Sequence, residues 1–219
     1  MWSRACLIQW RFRMFTTNCL MKKGGQPADH GTLNFGLDFS CSPYFRITDA
    51  TTASRMVTVC RERWGLPKPR ALMSVIGGAA DFAVGERLIE AFNEGFAKAA
   101  KQTGAWVIAG GTNSGAMAVT GQAFAGETGT VLLGVLPWGC VHHRDVMADA
   151  KGRQVLYPKA PLANSREGAQ VERNHSHFIM VDNGRTGSRG WGGENSFRVR
   201  LEAAISQEVP SVTIVMGGG

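Results

Sequence analysis

The 219-residue sequence predicts an α/β fold, a Rossmann-like, doubly wound and mostly parallel sheet that is incomplete at its C-terminus. Two observations carry this. Runs such as 105–109 (AWVIA) and 131–136 (VLLGVL) are apolar throughout instead of alternating, as strands buried on both faces are. Between such runs lie stretches with apolar residues at helical spacing, and several runs end in a glycine pair suited to a turn into the next helix.

Taken in order, Gln26 to Asp49 is rich in Gly, Pro, Asn and Asp and predicts an irregular stretch with one or two short strands, the clearest at Tyr44 to Ile47. Thr51 to Trp64 predicts a helix with Met56, Val59, Cys60 and Arg63 at helical spacing, ended by Gly65, Pro67 and Pro69. Ala71 to Ile76 is a strand closed by Gly77-Gly78, and Glu86 to Gln102 a helix with Leu88, Ile89, Phe92, Phe96, Ala99 and Ala100 on one face. After Gly104 come a strand at Ala105 to Ala109 and a small-residue helix at Ser114 to Ala125. A strand at Val131 to Leu136 stops at Pro137, and Phe178 to Val181 forms another. Gly187 to Gly193 reads as a loose loop before a helix at Phe197 to Ile205, with Val199, Leu201, Ala204 and Ile205 available for the core. Ser211 to Met216 is the last strand. The chain thus divides into a basic tail over 1–25, an irregular lead-in over 26–66 and a truncated α/β domain over 67–219.

Composition narrows the function. The net charge of +7 suits an anionic ligand, but Arg4, Arg11, Arg13, Lys22 and Lys23 crowd the first 23 residues, where no acid stands. Nucleic acid is therefore not an expected partner. That tail is expected to be disordered or a misplaced start, because Trp2, Trp10, Phe12 and Phe15 make a poor targeting helix. Five scattered cysteines form no disulfide framework, and no window has the apolar length of a membrane span. A soluble, cytosolic chain is expected.

Three strands end in glycine: Gly77-Gly78, followed by Ala79; Gly110-Gly111; and Gly217-Gly218 with Gly219. In an open parallel sheet the carboxyl ends form one rim, so these turns face one crevice. Glycine lets backbone N–H groups approach a phosphate, and a helix that starts there adds the positive end of its dipole. The strongest candidate is Gly110-Gly111-Thr112-Asn113-Ser114-Gly115, where two hydroxyls and an amide join the turn. No P-loop lysine and no Gly-x-Gly-x-x-Gly opens a helix, so ATPase and dehydrogenase readings fall. Spacings around Cys140, His142, His143, Asp145, His175 and His177 match no common zinc pattern, so no metal is expected. Asn174 to His177, ahead of an apolar strand, reads as a rim element that orders the crevice, with His175 as a ligand-binding candidate. Ser114 lacks a nucleophile elbow, and no catalytic residue is assigned.

Several ordered motifs carry a family resemblance: 66–79 (LPKPRALMSVIGGA), 103–115 (TGAWVIAGGTNSG), 137–139 (PWG) and 174–184 (NHSHFIMVDNG), with 34–36 (NFG) and 44–49 (YFRITD) upstream. Together they resemble the SLOG domain in the cytosolic amino-terminal region of TRPM (melastatin-type) cation channels, from about Asn34 to Gly219. The resemblance implies a regulatory, non-enzymatic module of a calcium- or cation-conducting membrane channel, present here as a fragment. It further implies ADP-ribose or a related nucleotide as ligand, no certain cofactor, and a homo-oligomer, a tetramer if the domain is part of a channel. More distant SLOG relatives are phosphoribohydrolases that use an Arg and a Glu around a Pro-Gly-Gly-x-Gly-Thr loop. The loop here is Ala109-Gly110-Gly111-Thr112-Asn113-Ser114-Gly115, in which no such pair can be assigned, so hydrolysis is the alternative, beside a non-catalytic assembly role.

Overall fold

A computed structural model describes residues 29–36, 41–79, 86–158 and 165–217. The expected tail over 1–25 lies outside the described residues. The element order is β1 (Asp29–Asn34), β2 (Ser42–Thr48), α1 (Ala53–Trp64), β3 (Ala71–Gly77), α2 (Glu86–Thr103), β4 (Ala105–Ala109) and α3 (Gly115–Ala123). Then follow β5 (Val131–Pro137), α4 (Arg144–Met147), β6 (Gln154–Leu156), β7 (His177–Asp182), α5 (Asn195–Ser206) and β8 (Ser211–Met216).

The strands form one open eight-stranded sheet in the order β6-β1-β2-β7-β5-β4-β3-β8. Every pairing is parallel except β1 with β2. The doubly wound Rossmann-like architecture is therefore as the sequence predicts, and the lead-in residues supply β1 and β2 to the same sheet and α1 to one of its faces.

All five residues of β4 are buried, and they alternate between the two faces. Trp106 and Ile108 join the core under α1 and α5 with Met56, Trp64, Phe197 and Leu201. Val107 and Ala109 join the core under α2 and α3 with Phe96, Phe124 and Leu132. A third cluster, with Tyr44, Leu136, Tyr157, Val171 and Phe178, covers the far half of the sheet. A strand covered on both faces has no need of polar residues, which is why β4 reads as unbroken apolar sequence.

Local chemistry sets the element ends. Gly65 caps α1 in the left-handed region at φ 66, the usual C-terminal stop. Gly104, at φ 63, turns α2 directly into β4. Pro137 ends β5, and a 3-10 turn over Trp138–Cys140 follows.

The helix over 53–64 buries Met56, Val59 and Cys60, as their spacing predicts, together with Trp64. Two expectations need correction. Val199 is 64% exposed, because the side chain of the preceding Arg198 takes the sheet-facing position. Residues 187–193 are tightly held: the Cys140 thiol donates to the Gly187 carbonyl at 3.4 Å, and a Cβ on Gly190 would fall 2.7 Å from Cys140 Sγ. Trp191 Nε1 also donates to the Arg166 carbonyl at 2.8 Å.

Candidate functional site

The adjacent parallel strands β8, β3, β4, β5 and β7 present their carboxyl ends along one rim. Gly77-Gly78, Gly110-Gly111 and Gly217 stand there side by side; Gly218 lies outside the described residues. Each glycine has a local reason. A Cβ on Gly77 would fall 2.3 Å from Ala116 Cβ and 2.4 Å from the Met216 carbonyl oxygen, so glycine brings α3 and β8 against the end of β3. Gly111 has φ 75, and a Cβ there would fall 2.9 Å from Gly134 Cα. Two backbones thus touch at the junction of β4 and β5.

The β4–α3 turn carries half of the predicted site residues, Gly110 to Gly115. Asn113 and Ala79 are exposed, whereas Thr112 is 3% and Ser114 9% exposed. The hydroxyls of Thr112 and Ser114 bond to each other at 3.1 Å. Much of the backbone is committed too. The N–H of Asn113 donates to the Gln170 carbonyl at 2.8 Å, that of Ser114 to Thr112 at 2.9 Å, and that of Ala116 to Gly78 at 3.1 Å. The last bond ties the glycine pair of β3 to the first turn of α3.

His175 is placed differently from the reading of it as a rim element. It precedes β7, so it sits at the amino end of that strand, below the rim, and is fully buried. Its Nδ1 lies 2.8 Å from Glu172 Oε2. His177 is half-buried, with its ring 4.8 Å from that of Trp64, and desolvation pushes its pKa down to about 4. Among the described residues, no group of three or more His, Cys, Asp or Glu side chains is placed to hold a metal ion.

The structure adds charged groups that sequence reading did not single out. Arg198, on α5, reaches under the ends of β3 and β4: Nη2 donates to the carbonyls of Val75 at 2.7 Å and Ile108 at 3.3 Å and to Ser74 Oγ at 3.1 Å. Its Nε pairs with Glu202 at 2.8 Å, an i,i+4 spacing that was visible in the sequence. Glu194, at the start of α5, has a carboxyl whose pKa is raised by burial, and among the described residues its Oε2 has no hydrogen-bond partner. Beyond β7, Gly184, Arg185, Thr186 and Arg189 line a cup of about 390 Å³. The cup is cationic. The neighbouring Arg46 is already engaged, paired with Asp182 and lying 4.3 Å over the Trp138 ring.

The model of a family described as "SLOG in TRPM" matches residues 42–219. The chain belongs to the SLOG family of TRPM proteins. Similar proteins include a transient receptor potential cation channel subfamily M member-like 2 of Nematostella vectensis, 37% identical over 81% of this chain and 13% of that protein. The subfamily M member 2 of Rattus norvegicus is 31% identical over 84% of this chain and 13% of its own length. A transient receptor potential channel of Caenorhabditis elegans is 30% identical over 96% and 11%. This SLOG domain therefore spans only about an eighth of the length of such relatives. Among its described residues no helix is long and apolar enough to cross a membrane.

Proposed function

We propose that this SLOG domain is a cytosolic sensor that binds an anionic nucleotide of the ADP-ribose class, without turnover, within a larger TRPM-like cation channel assembled as a homo-oligomer. The observation that carries the reading is the joining, on one rim, of glycine turns at the ends of β3 and β4 with the exposed cations Arg185 and Arg189. Glycine allows a ligand close to the backbone, and guanidinium groups match phosphate oxygens in pairs. A ligand with a diphosphate and a sugar at each end is long enough to lie along several adjacent strand ends, as ligands of open parallel sheets do. The relatives' channel names support the setting, and a tetramer follows from that setting alone.

A second reading rests on Glu194. A carboxyl raised by burial and close to Arg198 is the kind of group a hydrolytic proton donor requires. Calorimetric titration of ADP-ribose, AMP and ATP into the chain, with product release followed in parallel, separates the two. Heat without product supports the sensor. Release of free base moves the domain to the phosphoribohydrolase class, and absence of heat with all three leaves the assembly role.

A further inference from the structure

Glu172 is 3% exposed and touches both sides of the β4–α3 turn. On the strand side, its backbone N–H donates to the Gly111 carbonyl at 2.9 Å. On the helix side, its carboxylate lies against the last turn of α3, where a Cβ on Gly121 would fall 2.0 Å from both Cδ and Oε2. Thr112 to Ser114 lie between these two contacts. Residues just before Glu172 reinforce the grip, through a bridge between Val171 and Thr112 and the bond from Asn113 to Gln170.

The carboxylate is itself fixed from behind. Oε2 accepts from the Asn174 N–H at 3.0 Å and faces His175 Nδ1 at 2.8 Å, while Oε1 accepts from Asn174 Nδ2 at 2.8 Å. His175 is in turn tied to β2, because Ser42 Oγ donates to its carbonyl at 2.7 Å. A buried carboxylate with this many donors has its desolvation offset and little freedom to move. The chain of contacts runs from β2 through His175 to Glu172, and from there to Gly111 and α3.

We propose that Glu172 is the positioning residue of the crevice, clamping Gly111 against α3 so that the 111–115 turn is preset for its ligand. This rests on the reading of that turn as part of a nucleotide site. It also assigns a reason to Gly121: the helix is bare at that position because the carboxylate occupies the place of a side chain.

The test is amide hydrogen exchange on the whole chain in wild type, Glu172→Ala, Glu172→Gln, Gly121→Ala and the double alanine variant, with ADP-ribose titration alongside. In Glu172→Ala, exchange over 113–118 should rise roughly tenfold or more while the amides of β5 and β7 keep their rates. Glu172→Gln should restore most of the protection, since its amide oxygen still accepts. Gly121→Ala should loosen the turn only where the carboxylate is present, so the double variant should be no looser than Glu172→Ala alone. Uniform acceleration across β5 and β7, or additive effects of the two alanines, would overturn the clamp in favour of a merely stabilising residue. If Glu172→Ala does not fold, Glu172→Gln and Gly121→Ala carry the same decision. ADP-ribose affinity should drop about tenfold in Glu172→Ala, and an unchanged affinity with a loosened turn would overturn the presetting. A wild type that binds no nucleotide removes the functional reading, while the exchange data still decide the clamp.

Discussion

Two glycine-rich turns stand on the same rim and work in opposite ways. The β4–α3 turn is closed: Gly111 is jammed against Gly134, the hydroxyls of Thr112 and Ser114 satisfy each other, and three N–H groups donate to Gln170, Thr112 and Gly78. The β7–α5 turn is equally tight in its backbone, with Gly139 packed against the Arg185 carbonyl and Gly187 bonded to Cys140, but it turns Arg185 and Arg189 into solvent around a cup. One turn supplies shape and the other charge. A glycine motif is therefore a statement about how closely backbones approach, and it does not say which polar groups are left for a ligand.

The widest gap between the turns should appear with Gly111→Val. A valine there would strain the fold itself, since the site combines φ 75 with a Cβ position 2.9 Å from Gly134 Cα. Unfolding stability should fall by about 3 to 5 kcal/mol, read from the urea midpoint. An unchanged midpoint would break the description of this turn as closed.

Acid tests the amino end of β7, away from both turns. Folded His177 titrates near pH 4 and the unfolded chain near 6.5, so between these values the unfolded state binds the extra proton. Its contribution is complete above pH 6.5 and is lost as pH falls towards 4, by an amount on the order of 3 kcal/mol. His177→Gln should flatten that limb of the stability profile. A limb of the same steepness in the variant would assign the acid sensitivity elsewhere.

Charge should separate the turns in the other direction. Arg185→Ala with Arg189→Ala is expected to lower ADP-ribose affinity roughly tenfold or more while moving stability by no more than about 0.5 kcal/mol. Equal affinity in the double variant would leave the cup outside the site. The smallest effect is Thr112→Ala, which removes one buried hydroxyl pair and should cost about 1 kcal/mol of stability, measured by the same denaturation.

The legibility of the fold follows the same division between local and distant contacts. β4 was readable at both ends, because five buried residues sit between Gly104 and Gly110. β6 was not: it has three residues, exposed at both ends, and exists only because β1 offers it an edge. In α5 the sequence put Val199 in the core by hydrophobicity, whereas Arg198 faces the sheet because carbonyls at the ends of β3 and β4 and the Glu202 carboxylate satisfy its guanidinium. The glycine turns of the site could be named in advance. Glu172 could not, although its i,i+3 spacing to His175 was a faint sign.

From sequence alone came the alternation of strand and helix, the parallel sheet, the glycine rim and the SLOG resemblance, because these depend on neighbouring residues and on hydrophobic period. Only the tertiary structure decided which of the rim's polar groups are spent and which face outward. Burial and hydrogen bonding between distant segments, as when Glu172 meets Gly111 and Gly121, are set when the layers pack and leave no local pattern to read.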